Sequence, residues 1–164
     1  MSLQQQSQRS QRGFTLVEIL VTVVLISVGL LGVAALQLTT LRGNQEAYVR
    51  SQASVLANDI LDRIRANPNA FRVLTGVSPY EVALNGTGTA GTRAGDDLQE
   101  WQQAIDRTLP GGSATSGGTV ARTYDATARR HIVTITIQWQ ERPEGTGATG
   151  DNGATRSFVT RSEI

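Results

Sequence analysis

The sequence predicts an α+β fold: one long amino-terminal α-helix packed against a small antiparallel β-sheet. Three observations predict it. Apolar residues crowd into one early run, helical spacing persists after that run in amphipathic form, and a later stretch alternates with a period of two. The 164 residues suit one ordinary domain. Lys and Arg together number 15 against 14 acids, a formal +1, so the chain lacks the strong phosphate-seeking field of a nucleic-acid binder, and no nucleic-acid partner is expected. All of these cations are Arg. With 0 Cys and 1 His there is no disulfide framework and no ready ligand set for structural zinc, and no metal or cofactor is expected. The 17 glycines and 5% aromatic content favour loops over a large core.

The long helix begins with the apolar run. Phe14 to Leu41 spans 28 residues, of which 19 are apolar, two are Gly and one, Glu18, is charged. Ile19 to Leu36 contains nothing more polar than Thr22 and Ser27. At about 1.5 Å per residue such a run just crosses a hydrocarbon core of roughly 30 Å, which predicts a transmembrane helix. The flank before it carries Arg9 and Arg12 and no acid, so that end is expected to stay cytoplasmic and the remainder to face outward. Val33 and Ala35 imitate the cleavage site of a secretory signal, but the run is long for one and the helical pattern passes Ala35 without a break. Glu18 is the anomaly. A carboxylate in the apolar end of a spanning helix costs about 2.5 to 3.5 kcal/mol on insertion scales and calls for a function and a partner. Alternatively, only five residues beyond Gly13, it stays hydrated at the interface.

Past the membrane the pattern turns amphipathic. Val49, Ala53, Leu56, Ile60 and Ile64 share one face; Arg50, Ser54, Asn58 and Asp62 fall opposite. Glu46 with Arg50 and Asp59 with Arg63 are acid-first i, i+4 pairs. Arg63 and Arg65 suit the negative end of the dipole, and Asn67-Pro68 supplies the stop. The helix from Phe14 to about Asn67 would be roughly 80 Å long, with bending or local melting expected at Gly29, Gly32 or Gly43.

The 97 residues from Pro68 to Ile164 hold 13 glycines, so their core needs the amphipathic helix face as a wall. Asp96 is read as the cap of a short helix over 97–109, with Leu98, Trp101, Ile105 and Leu109 inward and Pro110-Gly111-Gly112 as its end. In the strand over 130–141, Val133, Ile135, Ile137 and Trp139 alternate with Thr134, Thr136, Gln138 and Gln140. Weaker strands fall at about 119–125 and 154–161, joined by Gly-rich turns.

Arg12-Gly13-Phe14-Thr15-Leu16-Val17-Glu18 resembles the processing site of type IV pilins and pseudopilins. The resemblance implies that prepilin peptidase cuts between Gly13 and Phe14 and that the new terminal Phe14 is N-methylated. It also implies that the apolar stretch is retained and that Glu18 pairs with the amino terminus of a neighbouring subunit during assembly. A buried ammonium and carboxylate are each tolerable only beside the other, which agrees with that role. The cut discards Arg9 and Arg12 and leaves 13 Arg against 14 acids, or −1.

Further on, Gly29-Leu30-Leu31-Gly32-Val33-Ala34-Ala35-Leu36-Gln37, Arg50-Ser51-Gln52-Ala53 and Asp59-Ile60-Leu61-Asp62-Arg63-Ile64-Arg65-Ala66-Asn67-Pro68 resemble the amino-terminal half of the PilV family of type IV pilus modification proteins, which are minor pilins. The match covers about residues 12 to 68 and is loose over the sheet. It implies a pilin-like plan: a cytoplasmic leader at 1–13, a transmembrane and assembly helix at 14–40, an amphipathic periplasmic helix at 41–67 and a periplasmic head at 68–164. Implied partners are other major and minor pilins, prepilin peptidase, the inner membrane and the pilus assembly machinery. The implied location is a single-pass inner-membrane protein that passes to the surface fibre.

Other signals have plainer readings. Gly86-Thr87-Gly88-Thr89-Ala90-Gly91 fits G-x-G-x-x-G without the strand and helix that make it a dinucleotide site, and reads as a mobile surface loop. His131 beside Arg129 and Arg130 is placed badly for forming an imidazolium, and reads as a solvated strand-end residue. Asp96-Asp97 reads as a helix start and Asp151-Asn152-Gly153 as a turn, not a calcium loop. Trp101 and Trp139 fall on inward stripes and read as core. No catalytic residues are expected. The rivals to a minor pilin are a type II secretion pseudopilin, a membrane-anchored periplasmic hydrolase, for which no nucleophile and base are found, and a pilus-tip adhesin contacting a surface through its Gly/Thr loops.

Overall fold

A computed structural model describes residues 14–73, 76–112, 115–141 and 154–164. It forms two compact units, Met1–Gln45 and Glu46–Ile164. Helix α1 (Leu16–Ala66, 51 residues) contributes to both. It stays helical through Gly29, Gly32 and Gly43, the positions at which any melting is expected. A glycine at such positions gives up about 1 kcal/mol of propensity, which the continuous hydrogen-bonded helix on either side absorbs.

In the first unit the helix has no packing partner among the described residues. None of its most apolar window is buried, and the helix is long and apolar enough to cross a membrane. Its hydroxyls are satisfied along the helix itself. Thr22 donates to the Ile19 carbonyl (2.8 Å), Ser27 to Val23 (2.7 Å), and Thr39 and Thr40 to Leu36 (2.8 and 3.0 Å).

In the second unit the rest of α1 lays Ala53, Leu56, Ala57, Ile60, Leu61 and Ile64 against the head, with Val49 half-buried at the margin. The apolar stripe read from the spacing is therefore the buried one, widened by Ala57 and Leu61. Helix α2 (Pro68–Phe71) follows with Pro at its first position, and Phe71 is fully buried.

Helix α3 (Arg93–Thr108) starts earlier than the cap read at Asp96. Thr92 is the cap, its hydroxyl accepting from the Gly95 N–H at 3.1 Å, and Asp96 lies within the first turn. Gly95 is what makes this start possible: a Cβ there would lie 2.0 Å from the Thr89 carbonyl oxygen. Leu98, Trp101 and Ile105 point inward as the stripe predicted.

The sheet is β1 (Gly117–Asp125), β2 (Arg130–Gln140) and β3 (Thr155–Glu163), antiparallel in the order β1-β2-β3. Central β2 buries Val133, Ile135, Ile137 and Trp139 on one face, as the alternation predicted. Register sets Val120 beside Ile135 and Phe158 beside Ile137 on that face. The turn from β1 to β2 contains no glycine. Asp125 accepts from the Thr127 and Ala128 N–H groups, both at 3.0 Å, and Arg129 takes the left-handed conformation at φ +54°.

The outer edge of β1 is closed. Val82 and Val120 exchange two backbone hydrogen bonds of 3.0 Å. Beside them the Gln102 amide acts as a substitute strand, donating to the Gly118 carbonyl at 2.7 Å and accepting from its N–H at 3.0 Å.

Candidate functional site

Phe14 precedes the helix and is 80% exposed. Thr15 caps it. Its carbonyl accepts from Glu18 N–H at 3.1 Å and from Ile19 N–H at 3.3 Å, and its hydroxyl also accepts from Glu18 N–H, at 3.3 Å. Glu18 thus occupies the third position of the first turn, where the helix's positive end favours a carboxylate. The Thr15-x-x-Glu18 spacing is that of a capping box, a signal legible in the sequence. The carboxylate is exposed, bordered by the exposed apolar residues Val17, Leu20, Val21, Val24 and Leu25. Gly13, Arg9 and Arg12 lie outside the described residues, as does Asp151-Asn152-Gly153.

A polar network ties the head to α1. The Arg63 guanidinium meets Glu100 at 2.8 Å, Asp59 at 3.1 Å and Asp97 at 3.3 Å, and Glu100 foremost raises its pKa. The fully buried Tyr80 donates its hydroxyl to Asp97 at 2.6 Å. Desolvation first, and the Asp97 bond second, push this phenol up to about 12.

Arg122 fixes the segment before β1. From the core face of β1 it donates to the carbonyls of Val73 and Gly76 and to Glu81, the last two at 2.7 and 3.3 Å. Glu81 in turn accepts from Ser78 N–H. Neither Tyr80 nor Arg122 carried a local sequence signal, since each is defined by partners far along the chain.

His131 is buried, at 8% exposure, against its reading as a solvated strand-end residue. The β2 alternation that includes Val133 continues back to it, and α2 closes over it with Phe71, edge-on at 6.4 Å, while Tyr124 lies tilted at 4.9 Å. Its Nδ1 is buried without a hydrogen-bond partner. Desolvation foremost, then the Arg122 and Arg72 charges, lower its pKa from the ordinary 6.5.

The run Gly86 to Gly91 is a turn-rich surface segment with Gly88 and Gly91 at positive φ, packed beside α3 without the strand-to-helix context of a dinucleotide site. Among the described residues no group of three or more His, Cys, Asp or Glu is placed to hold a metal ion.

A long amino-terminal helix joined to a three-stranded antiparallel sheet, with an unburied apolar first half, is a pilin-like α+β fold. Residues 8–34 match the family model of the prokaryotic N-terminal methylation motif, and residues 35–85 match that of type IV pilin Tt1218. Together they support a likeness to type IV pilins, each over less than half of the chain. The motif and the long apolar helix fit a membrane-anchored pilin. No curated protein and no solved structure matches the chain.

Proposed function

We propose that this chain is a minor pilin of the PilV kind, cut by prepilin peptidase after Gly13, methylated on Phe14, and carried into or priming a type IV pilus with its head in the periplasm. One observation carries the reading: the methylation motif over residues 8–34 runs into a helix whose most apolar stretch is buried by nothing among the described residues. In lipid that surface meets acyl chains, and in a fibre it meets similar helices, so little hydrophobic gain separates the two. Specific pairs must then fix position. Glu18 supplies one, meeting the amino terminus of a neighbouring pilin. Arg9 and Arg12 hold the leader on the cytoplasmic side before the cut.

Mass spectrometry of the amino terminus recovered from membranes tests the processing: a methylated Phe14 start is expected, and a start at Leu36 or an intact Met1 would overturn it. A knockout scored for twitching motility and for enzyme secretion tests the assignment to the pilus. Loss of motility with secretion intact is expected; the reverse identifies a type II secretion pseudopilin.

A further inference from the structure

The buried His131 ring stands at one end of the sheet, between segments that meet nowhere else in sequence. From α2 comes Phe71, with Arg72 at the α2 carboxy-terminal cap. From β1 come Tyr124, its register partner, and Arg122. From the chain's end Ile164 N–H donates to the His131 carbonyl at 3.0 Å. Among the described side chains, the carboxylates on these elements are already paired. Glu81 is taken by Arg122, and Asp125 and Glu163 are taken by Arg130. The charges that act on the ring are the guanidiniums of Arg122 and Arg72.

In the neutral ring the partnerless Nδ1 is tolerable as an acceptor left empty. Protonation turns both ring nitrogens into donors, so an N–H would be created where no acceptor stands, within the field of the Arg122 and Arg72 charges. A closed site holds such a group only at a cost to closure. The partner that can withdraw is α2: it is four residues long, and among the ties that hold the segment after it is Arg122, the same residue that would repel the new charge.

We propose that His131 is an acid-sensitive latch, whose protonation releases α2 and residues 76–80 from the end of the sheet. The direction follows from linkage. Above pH 6.5 the ring is neutral folded or unfolded, and pH has no effect through it. Below that, the open form takes the proton first, so closure weakens as pH falls until the closed ring is also protonated. Each unit by which the closed-state midpoint lies under 6.5 weakens closure about tenfold.

The chain has 1 His, so its ring signals are unambiguous by NMR. The test uses the full chain in detergent micelles. The His131 midpoint is read from imidazole shifts, and amide hydrogen exchange of α2 and residues 76–81, corrected for intrinsic rates, is followed from pH 7.5 to 4.5. Expected are a midpoint below that of free histidine and an opening that grows severalfold with acid in these segments. In His131→Phe and His131→Gln that pH dependence is flattened. A midpoint at or above the free value, an opening unchanged by acid, or the same pH dependence in either variant overturns the latch. Should His131→Phe fail to fold, His131→Gln and the midpoint of the unaltered chain still decide.

Discussion

The Trp101 indole donates from Nε1 to the backbone carbonyl of Leu56 at 2.8 Å, joining residues 45 positions apart and fastening α3 to α1. The same ring is the floor for Gly118: a Cβ at that glycine would lie 2.1 Å from Trp101 Cη2. Gly118 also receives the Gln102 amide, so the site combines close approach with edge pairing.

Gly118→Ala is therefore expected to destabilise the head by about 1 to 3 kcal/mol, the range for overpacking a filled core. Thermal unfolding followed by near-ultraviolet circular dichroism checks it. An unchanged midpoint would mean that the ring has room to move.

Arg122→Gln removes the guanidinium from Val73, Gly76 and Glu81 and leaves a half-buried carboxylate without its cation. A loss of roughly 2 kcal/mol is expected, below the 3 to 5 for a fully buried pair because Glu81 retains some solvent contact. Urea unfolding measures the loss, and limited proteolysis near Gly76 should accelerate in the variant.

Tyr80 gives a prediction at alkaline pH. Its folded pKa of about 12 exceeds the ordinary 10.0, so the protonated phenol stabilises the fold fully below pH 10. That contribution is lost as pH rises from 10.0 towards 12. Tyr80→Phe should flatten the stability curve in that window and remove a late step from the phenolate absorbance titration.

Glu18→Ala is expected to leave membrane insertion intact, or to improve it slightly, while sharply reducing recovery of the chain in sheared pili. Thr15→Val removes the hydroxyl cap, for which about 1 kcal/mol is typical, and should impair incorporation less than the Glu18 change. Immunoblots of membrane and pilus fractions separate the two. Undiminished incorporation of Glu18→Ala would sink the pairing role.

Much of the fold was legible because it is governed by local period. The stripe of Ala53, Leu56, Ile60 and Ile64 and the alternation of Val133, Ile135, Ile137 and Trp139 each need only one face to be buried, and both are. The start of α3 was misread because Gly95, a poor helix former, stands in its first turn, where a contact with Thr89 makes it necessary. His131 was misread because its neighbours Arg129 and Arg130 are polar, while its burial comes from Phe71, some sixty positions away. The expected Gly-rich turn from β1 to β2 instead uses Arg129 at positive φ, which an Asp125 side-chain bond network makes tolerable. At the amino terminus, the residue types around Phe14 and Glu18 were readable as a motif, but Thr15 drew notice only through its bond to the Glu18 amide.

The hydroxyls of Thr22, Ser27, Thr39 and Thr40 all turn back onto carbonyls of their own helix. Whatever surrounds that rod, greasy tails or sister rods, no hydrogen bond has to be broken for it to move from one to the other. For a rod moved between two such surroundings, these four side chains would add nothing to the cost, which would fall instead on its acidic end.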